Sequence, residues 1–288
     1  MTVLLKGKEV ADHLTDKLKV SVKELHKKGV DPTLAIIRVG KNPSDLSYEK
    51  GAMKRAEKVG VTVKNYIFNE EITQEQLIDE IYKINKDTGI HGILIFRPLP
   101  KHMDDQTVGD ALAPEKDVDG ITTGSLAGVF MGNDLGFPPC TARACMEILD
   151  YNNVDLKGKK VTVLGRSLVI GKPVAMMTME KHATVTICHS RTKIEDLKKA
   201  SREAEVLIVA LGKVGIIGKD HLSHGQIILD VGINVTEEGT LQGDVDMSAA
   251  EEKNVKITPV PGGIGGVTTA VLMLHLVLAA QKWERENG

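Results

Sequence analysis

Residues 161–173, VTVLGRSLVIGKP, constrain the fold more than any other stretch of this chain. Residues 161–164 are apolar or β-branched and run into Gly165-Arg166-Ser167; Gly171 follows, and Pro173 opens a helical pattern. A buried parallel strand that stops at a glycine and turns into a helix presents backbone N–H groups to an anion. The spacing departs from G-x-G-x-x-G, because Ser167 stands in the second glycine's place and the last glycine comes one residue late. Residues 183–188 (ATVTIC) then read as an alternating, β-branched strand that ends in His189-Ser190-Arg191-Thr192. A site for NAD places Asp or Glu here, on the ribose 2′-hydroxyl. This segment has no acid. Ser190 and Arg191, with Arg166 of the first loop, offer a hydroxyl and two guanidinium groups. Those groups suit a 2′-phosphate, which an acid would repel. The pattern therefore predicts NADP rather than NAD.

A chain of 288 residues suits two domains of ordinary size or one large one. Apolar residues make up 42% and aromatic residues only 3%, so the cores must be aliphatic. A net charge of −2, with no Lys/Arg cluster, argues against a nucleic-acid partner. The N-terminus lacks the apolar run of a signal peptide, and residues 270–280, the longest apolar stretch, are too few to span a bilayer. No membrane partner is expected. Cys140, Cys145 and Cys188 have no metal or redox spacing and read as reduced thiols of a cytoplasmic protein.

Along the chain, Val10, Leu14, Leu18, Val22 and Leu25 recur at steps of four and three, an amphipathic helix over 8–28 ended by Gly29. Strands are predicted over 34–39, 61–68 and 90–96. Helices are predicted over about 44–59 and from the Thr73-x-x-Gln76 capping box to about 85. Strand and helix alternate, so the first ~120 residues form an α/β layer with parallel strands. A helix over 141–150 leads into a second βα series, with strands at 161, 183–188, 206–210 and 226–231. An apolar helix from 268 to about 281 closes the chain. The expected organisation is an N-terminal α/β domain, 1–140, with the helix of 268–288 packing back on it, and a Rossmann-like domain, 141–267, with a cleft between. Two acidic stretches, Lys116-Asp117-Val118-Asp119-Gly120 and Gly243-Asp244-Val245-Asp246, lack the third ligand and distal Glu of a calcium loop, so no metal is expected. Asp beside Gly reads first as turn chemistry.

Several motifs occur in one order. Tyr48 follows a Gly-x-Asn-Pro-Ser loop. GILIFRPLP spans 92–100, KDVDG 116–120, PPCT 138–141 and GRSLVIGKP 165–173. ATVTICHSRT, DVGIN (230–234), GDVD and TPVPGGIGG (258–266) complete the series. Together they resemble the bifunctional methylenetetrahydrofolate dehydrogenase/cyclohydrolase family over nearly the whole chain. The resemblance implies two α/β domains, a homodimer through the NADP domain, and tetrahydrofolate derivatives as substrates. It implies that Gly165, Arg166, Ser167 and Ser190 hold the NADP phosphates and ribose, and that Ile233 contacts the nicotinamide. Asp119 would hydrogen-bond the pterin, Tyr48 would stack on the aminobenzoate ring, and Pro98, Leu99, Pro100, Pro261, Gly262 and Gly263 would line the cleft.

The chain also departs from that family. The family's catalytic lysine stands four residues after the tyrosine, where this chain has Ala52; its supporting glutamine before Pro-Leu-Pro is Phe96. On a helix Ala52 shares Tyr48's face, about 40° off, whereas Lys54 points about 120° away. Lys54 remains a candidate catalytic cation by its long stem, beside the reading of a solvated helix-face charge. Arg97 cannot release a proton at neutral pH and could only orient groups. The leading expectation is an NADP-linked dehydrogenase whose hydrolytic activity is weakened. The alternatives are a catalytically silent NADP- or folate-binding paralogue and a shikimate-type dehydrogenase.

Overall fold

A computed structural model describes all residues, 1–288. In chain order the elements are β1 (Val3–Leu4), α1 (Gly7–Lys27), β2 (Thr33–Val39), α2 (Pro43–Val59), β3 (Thr62–Phe68), α3 (Gln74–Lys86) and β4 (Gly92–Ile95). There follow α4 (Asp105–Asp110), α5 (Thr123–Met131), α6 (Cys140–Tyr151), β5 (Lys160–Leu164), α7 (Gly171–Glu180), β6 (Thr184–Cys188), α8 (Ile194–Glu203) and β7 (Val206–Val209). The chain ends through β8 (Ile227–Asp230), β9 (Asn234–Val235), β10 (Leu241–Gln242), α9 (Met247–Glu252), β11 (Lys256–Ile257) and α10 (Gly265–Asn287). They divide into two compact units, Asp12–Cys140 with Thr269–Gly288, and Met1–Ala11 with Thr141–Thr268.

In the unit of Asp12–Cys140 the sheet has the order β3-β2-β4, all parallel. β2 is central and every one of its residues is buried, which explains the apolar run of 34–37; Arg38, buried with them, interrupts it. β3 is an edge, with Val63, Tyr66 and Phe68 half-buried and its other residues exposed. Ala35, Ile37 and Val39 of β2, with Ile93 and Ile95 of β4, form one core with Leu77, Ile81 and Ile84 of α3. Leu34, Ile36 and Arg38 point to the opposite face, because side chains alternate along a strand. The Thr73 capping box is present: its hydroxyl accepts from Gln76 N–H, and Gln76 reaches back to Thr73 N–H.

The other unit has six parallel strands in the order β1-β11-β8-β7-β5-β6, and a separate antiparallel β9–β10 hairpin. Chain order reverses direction at β5, with β6 on one side and β7 on the other. A doubly wound sheet binds its ligand at such a switch point, off the carboxyl ends of the strands. Residues 1–11 go with this unit because β1 ladders onto β11. A two-residue strand gives too short an alternation for its pattern to be read. α4, α5, α9 and the β9–β10 hairpin escape periodicity for the same reason.

The closing helix is longer than its apolar stretch suggested. α10 runs 23 residues and is by length and composition apolar enough to cross a membrane, but 61% of its most apolar window is buried within the protein. Both it and α6 continue beyond the residues where their apolar patterns are clearest.

Candidate active site

The first group of candidate residues surrounds the carboxyl ends of β2 and β4. α2 starts where its local chemistry dictates: Asn42 caps it by accepting from Ser44 N–H, Pro43 fills the first turn, and Gly60 closes it in the left-handed region at φ 88°. That fixes Tyr48 in the second turn. Tyr48 meets Phe96 edge to face, with centroids 5.9 Å apart and planes at 81°. Ala52, one turn on, is fully buried. Lys54 is exposed among Leu46, Lys50, Met53 and Glu57. The structure thus sets Phe96 against Tyr48, buries Ala52 one turn further along the helix, and leaves the candidate cation Lys54 facing solvent.

After Phe96 the chain passes half-buried Arg97, exposed Pro98, buried Leu99 and half-buried Pro100. Leu99 N–H donates to Asp105 Oδ1 at 2.8 Å, which holds this turn. The two aspartates of the KDVDG stretch have separate fates. Asp117 accepts from Ile121 N–H, Thr122 N–H and the Ser125 hydroxyl at 3.0, 2.8 and 2.6 Å, so it performs the turn chemistry. Asp119 does none of this. Burial pushes its carboxyl up to about 6, Asp117 adds to that rise, and the Cys140 thiol and Arg97 oppose it. Gly120 is required beside it, since φ is +70° and a Cβ would run into the Phe137–Pro139 backbone. Cys140 was not singled out by sequence. Its Sγ donates to the Val118 carbonyl at 3.3 Å and lies 3.8 Å from His275 Nδ1, while Phe137 stacks on the His275 ring at 5.0 Å.

The second group stands at the carboxyl ends of β5 and β6. Leu164 and Cys188 are register partners, so the loops that follow them emerge side by side. Gly165 has φ +130°, and a Cβ there would strike the Ala210 carbonyl; one at Gly171 would strike the Gly165 carbonyl and Arg166 Cα. Ser167 explains the irregular spacing. Its hydroxyl accepts from Ile170 N–H at 3.3 Å and its carbonyl from Lys172 N–H at 3.0 Å, so a serine turn replaces the missing glycine. Arg166, Ser167, Ser190 and Arg191 are all exposed. The second loop is held by His189 N–H to the Thr192 hydroxyl at 2.9 Å and Arg191 N–H to His189 Nδ1 at 3.2 Å. A cradle closed to any Cβ, with cations and hydroxyls and no acid beside it, fits the pyrophosphate and 2′-phosphate of a dinucleotide.

Sequence reasoning overlooked how this rim is braced. Asp244 accepts N–H bonds from Leu211, Gly212 and Lys213 at 2.6, 2.9 and 2.8 Å, and from Asn234 Nδ2 at 2.9 Å. Asp230 accepts from Gly232, Asp244 and Val245 N–H. Burial lifts Asp230 to about 6 against those bonds. The two carboxylates fix the turn on which Ile233 stands 59% exposed. Of the remaining candidates, Pro261 and Gly262 are exposed and Gly263 is buried; the Gly262 carbonyl accepts from Gly7 N–H at 2.9 Å. The only hint in the sequence was acid beside glycine in DVGIN and GDVD.

Fold and loops together define a doubly wound, dinucleotide-binding α/β protein joined to a second α/β unit. Residues 5–119 match the description "Tetrahydrofolate dehydrogenase/cyclohydrolase, catalytic domain", and residues 139–284 match "Tetrahydrofolate dehydrogenase/cyclohydrolase, NAD(P)-binding domain". The chain belongs to the tetrahydrofolate dehydrogenase/cyclohydrolase family. It is 49% identical to the bifunctional protein FolD of Clostridioides difficile (strain 630) over 96% of each chain. It is similar to the crystal structure of the bifunctional FolD enzyme from Campylobacter jejuni, at TM-score 0.94 and 38% identity over 98% of this chain and 99% of that one. It is also similar to the Trypanosoma brucei enzyme complexed with NADP cofactor and inhibitor, at TM-score 0.90 and 30% identity over 98% of each.

The two carboxyls raised by desolvation, half-buried Asp119 and buried Asp230, make stability depend on pH. A carboxyl raised from 3.8 to about 6 binds its proton more tightly in the folded chain, so its contribution is full below pH 4 and is lost as pH rises through about 6. Asp119→Asn is expected to reduce the fall in unfolding free energy between pH 4 and 6, leaving the share due to Asp230. Denaturant titrations at several pH values check this; an unchanged slope would remove Asp119 from the account.

Proposed function

We propose that this chain is an NADP-dependent methylenetetrahydrofolate dehydrogenase of one-carbon metabolism. The observation that carries the reading is the pair of adjacent loops after β5 and β6, which offer Arg166, Ser190 and Arg191 and no acid. NADP+, when bound, accepts a hydride at its nicotinamide ring. Gly165 and Ser167 hold its phosphates, Arg166 and Arg191 select its 2′-phosphate with Ser190, and Ile233 offers an apolar contact to the nicotinamide. On the other unit, Asp119 accepts N–H bonds from the pterin, Tyr48 stacks on the aminobenzoate ring, and the 98–100 turn lines the folate. Pro261, Gly262 and Gly263 are assigned to the substrate side as well.

The methylene carbon between two folate nitrogens loses a hydride, and the cation left behind is delocalised over both nitrogens. This step needs two positioned rings and no acid or base. Hydrolysis of the methenyl product is different. Water must add and protons must move, which calls for a switchable group. At the position that Tyr48's helix face offers, this chain has the buried methyl of Ala52, and against the tyrosine itself stands the ring of Phe96. Neither can relay a proton. The relatives are named bifunctional; in this chain we assign the dehydrogenase and a weak or absent cyclohydrolase, with Lys54 outside the catalytic set.

We further propose a homodimer paired through β6, in the cytoplasm. β6 is an edge of the six-stranded sheet with Thr184, Thr186 and Ile187 exposed, and an open edge of this kind is a template for a second copy. Three free, buried cysteines suit a reducing compartment.

Three measurements test these statements. Arg191→Ala should weaken NADP about tenfold or more, the worth of one charge-assisted contact of roughly 1.5–3 kcal/mol, and leave NAD nearly unchanged. Equal weakening of both would make the arginine structural. Methenyltetrahydrofolate given to the wild type and to Lys54→Ala should disappear near the uncatalysed rate in both, while NADP reduction from methylenetetrahydrofolate continues. General acid–base help is worth ~10²–10⁴-fold, so wild-type hydrolysis that collapses in the variant would be plain and would restore Lys54 as catalytic. Sedimentation of the purified chain should give a dimer, and Ile187→Lys should shift it toward monomer; a monomeric wild type would sink the pairing.

A further inference from the structure

α2 carries charge into the interior directly beside Tyr48. Asp45 and Glu49 are 7% and 8% exposed, and Arg38 opposite them is 6% exposed. Arg38 Nε donates to Glu49 Oε2 at 2.8 Å, and its guanidinium also donates to the Gly40 carbonyl. Hydride transfer uses none of these groups. A buried ion pair is weak grounds for stability, because desolvation offsets much of its attraction. Its value must therefore be sought in where it holds things.

The seat of α2 is otherwise thin. Its buried residues are Asp45, Glu49, Ala52, Ala56 and Val59, so two methyls and one valine make up the apolar grip. Little apolar area is buried, and apolar contacts have no direction. The sheet supplies the direction. Ile37 and Ile95 are register partners and Phe96 N–H donates to the Ile37 carbonyl, which sets Arg38 and Phe96 side by side on adjacent strands. Both lie on the face away from the core of Ile37 and Ile95. From there they take hold of consecutive residues of α2, Phe96 on the Tyr48 ring and Arg38 on the Glu49 carboxylate.

We propose that the Arg38–Glu49 pair is a positioning device that sets the register of α2 on the sheet and so aims the Tyr48 ring at the aromatic part of the folate. This rests on the folate role given to Tyr48 above. The guanidinium is anchored on the strand side by its bond to the Gly40 carbonyl and holds the Glu49 carboxylate through Nε, so a slide or roll of the helix breaks the second bond, whereas the alanine methyls would tolerate the slide. A misplacement of about 1 Å is enough to spoil a ring-stacking geometry.

The test replaces the pair by apolar residues of similar volume, Arg38→Met with Glu49→Leu, an exchange often neutral or stabilising for the fold. Dissociation constants for tetrahydrofolate and for NADP are measured by calorimetry, with KM and kcat for methylenetetrahydrofolate. The expected result is an unfolding midpoint near that of the wild type, tetrahydrofolate binding and KM weakened about tenfold, and NADP binding unchanged. In a Tyr48→Ala background the same exchange should add almost nothing, since the pair then has no ring to aim. Unchanged folate binding in the folded double variant, or an equal loss without the tyrosine, overturns the proposal. Should the double variant fail to fold, Glu49→Gln keeps the acceptor oxygen and removes the charge; it should weaken folate about threefold and leave NADP alone, and no change would again overturn it. A wild type that binds no folate fails differently, by removing the functional reading on which the proposal stands.

Discussion

β5 pairs with β6 on one side and β7 on the other, with Leu164 opposite both Cys188 and Val209. Three strands that end level in a parallel ladder must release their loops at one edge. The loop after β5 carries Arg166 and Ser167, the loop after β6 carries Ser190 and Arg191, and the loop after β7 carries the N–H groups held by Asp244. Backbone pairing thus gathers residues far apart in sequence. Glycine completes the arrangement at Gly165, where the backbone passes the Ala210 carbonyl too closely for any side chain.

Carboxylates withdrawn wholly or partly from solvent are the second recurrent device, and their surroundings separate them. Asp117 has three donors and acts as a knot in its turn. Asp244 has three backbone donors and an amide, and binds two loops into one rim. Asp119 has burial and a neighbouring carboxylate working against its charge, with only a thiol and Arg97 in its favour. A carboxyl so lightly held in the folded chain keeps capacity for a further donor, whereas an already satisfied carboxylate gains little from one.

α2 shows how an unusual residue set can be self-consistent. A lysine at position 52 would have had to be buried with its charge or hold a hydrogen-bonding partner. Alanine there and Phe96 against Tyr48 are apolar, and the buried charge of this helix is carried by Asp45 and Glu49, of which Glu49 is paired with Arg38. The loss of one polar group beside the tyrosine and the presence of another are features of one packing arrangement.

Much of this was legible in the sequence. Periodicity marked the long helices and buried strands, glycine and proline marked their ends, and the absence of acid after residue 188 marked the phosphate chemistry, since each is a property of neighbours along the chain. The alternation of β and α also determined the parallel architecture. The two-residue strands β1 and β11, the serine turn at Ser167, the division of labour between Asp117 and Asp119, and the meeting of Arg38 with Glu49 were decided by the tertiary structure alone. They depend on which backbone donors and which charges are brought within about 3 Å across the fold, and spacing along the chain carries no measure of that distance.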